Sequence, residues 1–259
     1  MTLRIGTSGF SFDDWVGPVY PEDLPRREWL VYYAREFSTC ELNFSYYRIP
    51  DTRTLAQIGA KVPPDFQFSI KAYRGITHER EDPEPQMERF SRALAPLIDE
   101  GKLACVLAQF PHAFHANQAN RAYLARVREG LADLPVVVEF RSREWISGRT
   151  FEELKALDLG FCCVDQPRFN NLIPPVAVAT GPVAYVRFHG RNRAKWWQHD
   201  EAWERYDYSY TEEELNEWVP KIRDLEEEAP LTLVYMNNHW QGQAVHSARQ
   251  LRMLMTGSS

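Results

Sequence analysis

A chain of 259 residues is long enough to bury one large core, and its net charge of −6 argues against a generic nucleic-acid coat while leaving room for a local basic cleft. Hydrophobic residues make up 44% and charged residues 25%, the mixture of a soluble globular protein rather than a disordered or membrane-embedded one. The four cysteines form no CxxC pair and two are adjacent, so buried free thiols are expected, not a zinc ribbon or a disulfide framework. A reducing, cytoplasmic setting is the corresponding expectation. The N-terminal MTLRIGTSGF shows no basic-then-apolar leader, and no apolar run reaches the roughly 20 residues that cross a bilayer.

The first short strand is predicted at 3–9, LRIGTSG, running into a glycine-containing loop. Gly6 and Gly9 do not match GxGxxG, so no dinucleotide fingerprint is read there. A helical pattern covers 26–37, with Leu30, Tyr33 and Phe37 on one face. The second strand, 39–45, carries Glu41, Asn43 and Ser45 on one face, and Asp51 or Thr52 caps a helix to about 62. The third strand, 66–71, ends on Lys71, with Thr77, His78 and Glu79 in the loop beyond. A helix follows over about 86–100.

The fourth strand, 103–110, has Gln109 near its end, and 117–131 reads as helix. In the fifth, 136–141, Glu139 and Arg141 share a face. Thr150-Phe151-Glu152-Glu153 has the pattern of a capping box opening a helix. The sixth strand, 161–165, finishes on Asp165. Residues 166–182 hold four prolines and no helical period, so a helix is weak or missing there.

The seventh strand lies in VAYVRFHGRN, 183–192, where Arg187 and His189 point to one face and Gly190 ends the run. A second capping box, Thr211 to Glu214, starts a helix with Leu215, Trp218, Ile222 and Leu225 inward and a bend at Pro220. The eighth strand is 231–237, and 244–255 closes the chain as helix.

Strands thus alternate with helices, and several strands are continuous apolar runs, as in parallel sheets covered on both faces. The fold class is α/β, a single TIM-barrel-like (β/α)8 domain over 1–259 with one helix weak or missing. An open doubly wound sheet is the alternative.

Barrel enzymes build their sites at the C-terminal strand ends. Those ends carry Glu41 and Asn43, Lys71, Gln109, Glu139 and Arg141, Asp165, Arg187 and His189, and Asn237 with Asn238. Charged side chains are rarely buried unpaired. The convergence therefore reads as an open polar pocket, with a buried ion network plugging the barrel as the alternative. In the pocket reading Glu139 or Asp165 is the general base and His189 an acid or base near neutral pH. Lys71, Arg141, Arg187 and Arg191 hold an anion by charge-assisted hydrogen bonds.

Three carboxylates with His78 and His189 also suggest a divalent-metal site, but without HxH or HExxH spacing no metal ligand is assigned. No cofactor is named by any motif. The expected partner is a small anion. The aromatic loop 191–210, with Arg191, Arg193 and Lys195 at its start, offers stacking for nucleic acid, a reading weakened by the acidic stretch 200–204. That loop reads equally well as a self-packed lid or an oligomer contact, and the oligomeric state is not specified.

Taken together, GTSGF, VGPVYP, PRREWLVYYAREF, ELNFSYYRIP, FSIKAYRGITHE, AQFP, VEFRSREW, VDQP, YVRFHGRN, RYDYSYTEEEL and NNHWQGQAV resemble the YecE-like domain-of-unknown-function family 72 over nearly the whole chain. The resemblance implies a TIM-barrel fold. It carries no agreed activity. By motif position it implies Glu41, Asn43, Lys71, His78, Gln109, Glu139, Arg141, Asp165, Arg187, His189 and Asn238 as the polar set. Function is accordingly expected to be that of an enzyme, hydrolase or lyase in type, acting on an anionic or polyhydroxylated small molecule. A nucleic-acid binder or metal-dependent nuclease and a non-catalytic ligand-binding protein are the alternatives.

Overall fold

The computed structural model describes residues 1–257, apart from the side chain of Ala202. Eight parallel strands close into a barrel in sequence order. They are β1 (Thr2–Ser8), β2 (Thr39–Leu42), β3 (Gln67–Lys71), β4 (Leu103–Gln109), β5 (Val136–Glu139), β6 (Leu159–Asp165), β7 (Val183–Phe188) and β8 (Leu231–Met236). β1 pairs with β8 over six residues, from Thr2 opposite Leu231 to Thr7 opposite Met236, which shuts the barrel. The connecting helices are α1 (Trp29–Tyr33), α2 (Thr52–Gly59), α3 (Pro83–Ala93), α4 (Ala95–Asp99), α5 (Gln118–Gly130), α6 (Gly148–Ala156), α7 (Glu212–Asn216), α8 (Val219–Glu228) and α9 (Gln243–Gly257). No helix among the described residues is long and apolar enough to cross a membrane.

Several boundaries differ from the sequence reading for local reasons. The helix expected over 26–37 is shorter, a 3-10 turn (Arg26–Glu28) running into α1. β2 stops at Leu42, because residues 44–46 wind into a 3-10 turn. Asn43 and Ser45 are therefore not strand residues on the Glu41 face. β5 likewise ends at Glu139, leaving Arg141 on the loop. Thr150 does not open α6: Ser147 is the cap, its Oγ accepting from the Thr150 N–H at 3.2 Å. Glu153, expected to close the box, pairs instead with Arg121 and Arg149. Thr211 does cap α7, reciprocally with Glu214. Pro220 sits in the first turn of α8, so the expected bend is a break between two helices.

No helix covers 166–182 among the described residues. That extended segment is tied down piecewise, by Gln166 Nε2 donating to Ile173 O, Thr180 Oγ1 to Leu159 O, and the Ala179 N–H to Glu228. All four cysteines are buried and free.

Two shells of core result. Outward-facing strand residues such as Val106, Val138, Val186 and Val234 are fully buried under the helices. The barrel interior is polar and aromatic. Tyr185 and Tyr235 pack with centroids 5.2 Å apart, and their hydroxyls reach Ser69 at 2.7 Å and Thr39 at 2.6 Å. Each hydroxyl has a partner, as burial of a tyrosine inside a sheet requires.

Candidate active site

Above the tyrosine layer, period-two alternation sends Glu41, Lys71, Gln109, Glu139, Arg187 and His189 into the barrel. Arg187 is its hub and only 2% exposed. Its Nη1 donates to Glu139 and its Nη2 to Glu41, each at 2.6 Å. Glu41 also accepts from the Tyr185 hydroxyl at 2.6 Å. Glu139 is further paired with Arg141 at 3.0 Å, and its Oε1 lies 3.2 Å from His189 Nε2. On the other side of the ring, His189 Nδ1 meets Asn237 at 3.0 Å.

This pairing decides the protonation states. Burial alone would raise the Glu139 pKa, but Arg141 and Arg187 hold it well below the usual carboxylate range. Burial pushes His189 down to about 3 despite Glu139, so the ring is neutral at pH 7. Burial, with Lys71 and Arg141 nearby, likewise takes His78 down to about 4. Lys71 is the group moved toward neutrality. Burial, with Arg187 as the largest neighbouring charge against it, lowers its pKa to about 8. Its Nζ donates to Gln109 Oε1 at 2.9 Å and sits 4.5 Å from the centroid of the Tyr46 ring. Among the described residues it has no ion-pair partner.

These groups floor a cavity of about 690 Å³ at the strand C-termini, lined by Lys71, Gln109, Arg141, Arg187, Asn43 and Asn237 at its polar end. Such a volume fits a small-molecule site. Its upper wall is aromatic. Phe12 stacks on His239 at 4.5 Å, Phe44 and Tyr47 stand exposed at the rim, and Tyr206 reaches in from the 191–210 loop. Several buried polar atoms beside the cavity have no protein partner: Arg141 Nη1, Arg187 Nε, Asn43 Oδ1 and Ser8 Oγ. Buried polar atoms are rarely left so unless water or a ligand meets them.

Other predicted residues lie elsewhere. On β6, Cys162 faces inward against Glu139 and Cys163 outward against Val178. Asp165 therefore points out of the barrel. It accepts from Arg191 at 2.9 and 2.7 Å, from Tyr210 at 2.7 Å and from Trp218 Nε1 at 2.7 Å. Asp165 and Arg191 form a structural knot behind β6 and β7, away from the cavity. Asn238 also faces out and donates to Tyr208 O and Ser247; its neighbour Asn237 takes the inward place. His78, in a π-turn, meets Thr77 at 2.8 Å and Tyr46, beside the cavity wall.

Ser8, Phe12 and His239 were not singled out from the sequence, whereas Tyr206 belongs to the aromatic loop read there as a stacking segment or lid. Ser8 was legible by alternation from Gly6, Phe12 and His239 only from tertiary packing. Among the described residues no group of three or more His, Cys, Asp or Glu converges as a metal site. The aromatic loop is tied within itself, where Arg205 covers Trp196 at 3.9 Å and Asn192 donates to Glu204 O and Asp207 O, and to the turn after β8, where Trp203 stacks on Trp240 at 3.8 Å. At Gly190, φ is +84° and a Cβ would come within 2.9 Å of Tyr208, so only glycine turns the chain from β7 into this loop.

The family model for DUF72, a protein of unknown function, matches residues 4–258. The chain belongs to the DUF72 family. This DUF72 protein is 32% identical over 269 residues to the UPF0759 protein YunF of Bacillus subtilis (strain 168), covering 98% of this chain and 94% of YunF. A solved DUF72 family protein from Thermotoga maritima MSB8 is 40% identical with a TM-score of 0.91, covering 99% of this chain and 100% of that one. Another, from Enterococcus faecalis V583, is 28% identical with a TM-score of 0.87, covering 98% and 96%. The likeness fixes the TIM-barrel fold of this DUF72 protein and attaches no activity to it.

Proposed function

We propose that this DUF72 protein is an enzyme of hydrolase or lyase type whose barrel mouth takes a small organic anion. One observation carries the reading: the cavity floor has more cation than its carboxylates neutralise. Glu41 and Glu139 face Arg187, Arg141 and Lys71, and Arg141 Nη1 and Arg187 Nε still lack acceptors. A plug would leave no donor over. A carboxylate, phosphate or sulfate would accept from these atoms, and charge-assisted bonds of this kind are about twice as strong as neutral ones. Ser8, Asn43 and Asn237 suit hydroxyl groups, and the aromatic wall suits an apolar or planar body.

The chemistry then centres on Lys71. Glu139 is held ionised by two guanidiniums and is a poor base. His189 is neutral and fully buried, and orients Glu139 instead. Lys71 titrates near the working pH, where proton transfer is most effective. Asp165 supports the wall and lies outside the reaction.

The test is a thermal-shift panel of sugar phosphates, oxo acids and aromatic carboxylates on wild type and Arg141→Met. At least one anion should raise the wild-type melting temperature and lose that effect in the variant. Absence of any shift, or equal shifts in both proteins, contradicts the reading.

A further inference from the structure

We propose that Lys71 is a nucleophile that forms an imine with the ketone of a 2-oxo acid bearing an apolar side chain. This rests on the anion-pocket reading above and names its substrate class. Three observations converge. First, Lys71 is a half-buried lysine without an ion-pair partner among the described residues, its amine held by a neutral Gln109 oxygen and the face of Tyr46 and its side chain lining the cavity. A lysine desolvated beside other cations is the arrangement that frees a lysine lone pair for covalent work. Second, Arg187 and Arg141 lie close enough to act on its charge, and each has a free donor atom. In a 2-oxo acid the carboxylate is one bond from the ketone, so a carboxylate held by these arginines keeps the ketone in the same pocket that Lys71 lines. Third, the wall above is Phe12 on His239 with Phe44 at the rim, a surface for an aliphatic or aromatic side chain.

The step balances without an external reagent. The neutral Nζ lone pair attacks the ketone carbon, and the C=O π pair moves to oxygen. A proton passes from nitrogen to that oxygen through pocket water, giving the carbinolamine. Water then leaves as the C=N bond forms, so one amine and one ketone become one imine and one water. Protonated, the imine accepts the electron pair of a bond broken next to it, which is lyase chemistry. The groups facing Lys71 are Arg187, Arg141, Glu139, Glu41, Tyr46 and His78. The two arginines and burial oppose its charge, so trapping should rise with pH up to about 8.

The test is reductive trapping. The full chain is incubated with phenylpyruvate or pyruvate and sodium cyanoborohydride between pH 6 and 9, digested, and read by peptide mass spectrometry. The expected result is one reduced adduct on the peptide carrying Lys71, at least tenfold above any other lysine, stronger with phenylpyruvate, and lost in Lys71→Arg. A melting curve shows whether Lys71→Arg is folded; if it is not, Lys71→Met replaces it as the control. Labelling spread evenly over the lysines, or absent from Lys71, overturns the proposal. If panel anions stabilise the protein but no adduct forms, the imine alone fails. If neither occurs, the anion pocket fails with it.

Discussion

Lys71 and His189 stand within one polar floor, yet their environments drive them to opposite uses. Lys71 borders open cavity and keeps a pKa of about 8, so roughly a tenth is neutral at pH 7. His189 is sealed beneath Glu139 and Asn237. Replacing Lys71 with methionine should lower kcat by about 10²–10⁴ once a substrate is in hand, the usual share of a positioned proton-transfer group. The same variant should be at least as stable as wild type at neutral pH. The unfolded lysine titrates at 10.5 and the folded one near 8, so between these values the unfolded chain binds more protons and stability rises with pH. Removing the amine removes that slope, which urea melts at pH 7 and 9.5 would show.

The histidines give a second window with the same sign. His189 and His78 fall from 6.5 to about 3 and about 4. The unfolded state again binds more protons across that interval, so stability is present above pH 6.5 and is lost as pH drops toward 3. Urea midpoints should fall over pH 6.5 to 4 by an amount on the order of a few kcal/mol in free energy. Midpoints flat over that range would contradict the buried neutral histidine.

At the scale of elements, the β6–β7 crossover is where the barrel departs from its ideal form. With no helix over 166–182, β6 is covered by α6 and β7 by α8, and Asp165 ties this side of the barrel to Trp218, between α7 and α8, and to Tyr210 and Arg191. Asp165→Asn should cost roughly 1–3 kcal/mol of stability, because a buried charge-assisted network is weakened while Glu214 and Glu217 still neutralise Arg191. It should leave anion binding in the surviving folded protein unchanged, a combination that chemical denaturation and calorimetry together would detect.

The same element shows what a sequence can and cannot reveal. The eight strands, the missing helix and the Thr211 cap follow from periodicity and turn chemistry, which are local. The side on which Asp165 emerges follows only relative to its strand neighbours: counting two from outward Cys163 turns it out of the barrel. Whether Cys162 itself is inward was not fixed, since a strand buried on both faces carries no apolar alternation to set the phase. Asn237 and Asn238 exchange places for the same reason. Asn43 and Arg141 look like strand residues until the chain leaves the ladder before them. Phe12, Tyr206 and His239 come from three loops, and no local pattern brings them to one wall.

Across the whole molecule, the Arg187 hub links strands from opposite sides of the barrel: β2 through Glu41, β5 through Glu139 and β7 itself. Replacing Arg187 with methionine leaves Glu41 with only Tyr185 and should cost about 3–5 kcal/mol. The triple variant Glu41→Gln, Glu139→Gln, Arg187→Met should recover most of that loss, since no buried charge is then orphaned. Denaturation of the pair of variants checks it, and equal instability in both would argue against the hub. The barrel frame and the cavity floor thus share one arginine, whose two Nη atoms hold the carboxylates of opposite strands.

The most direct measurement is the affinity of a panel anion as pH is raised from 7 to 9.5, by isothermal titration at fixed ionic strength, on wild type and Lys71→Met. The cationic floor predicts wild-type binding that weakens as Lys71 loses its proton around pH 8, and binding to the variant that is weaker and independent of pH. Wild-type affinity constant across that range, or a slope retained in the variant, would contradict it.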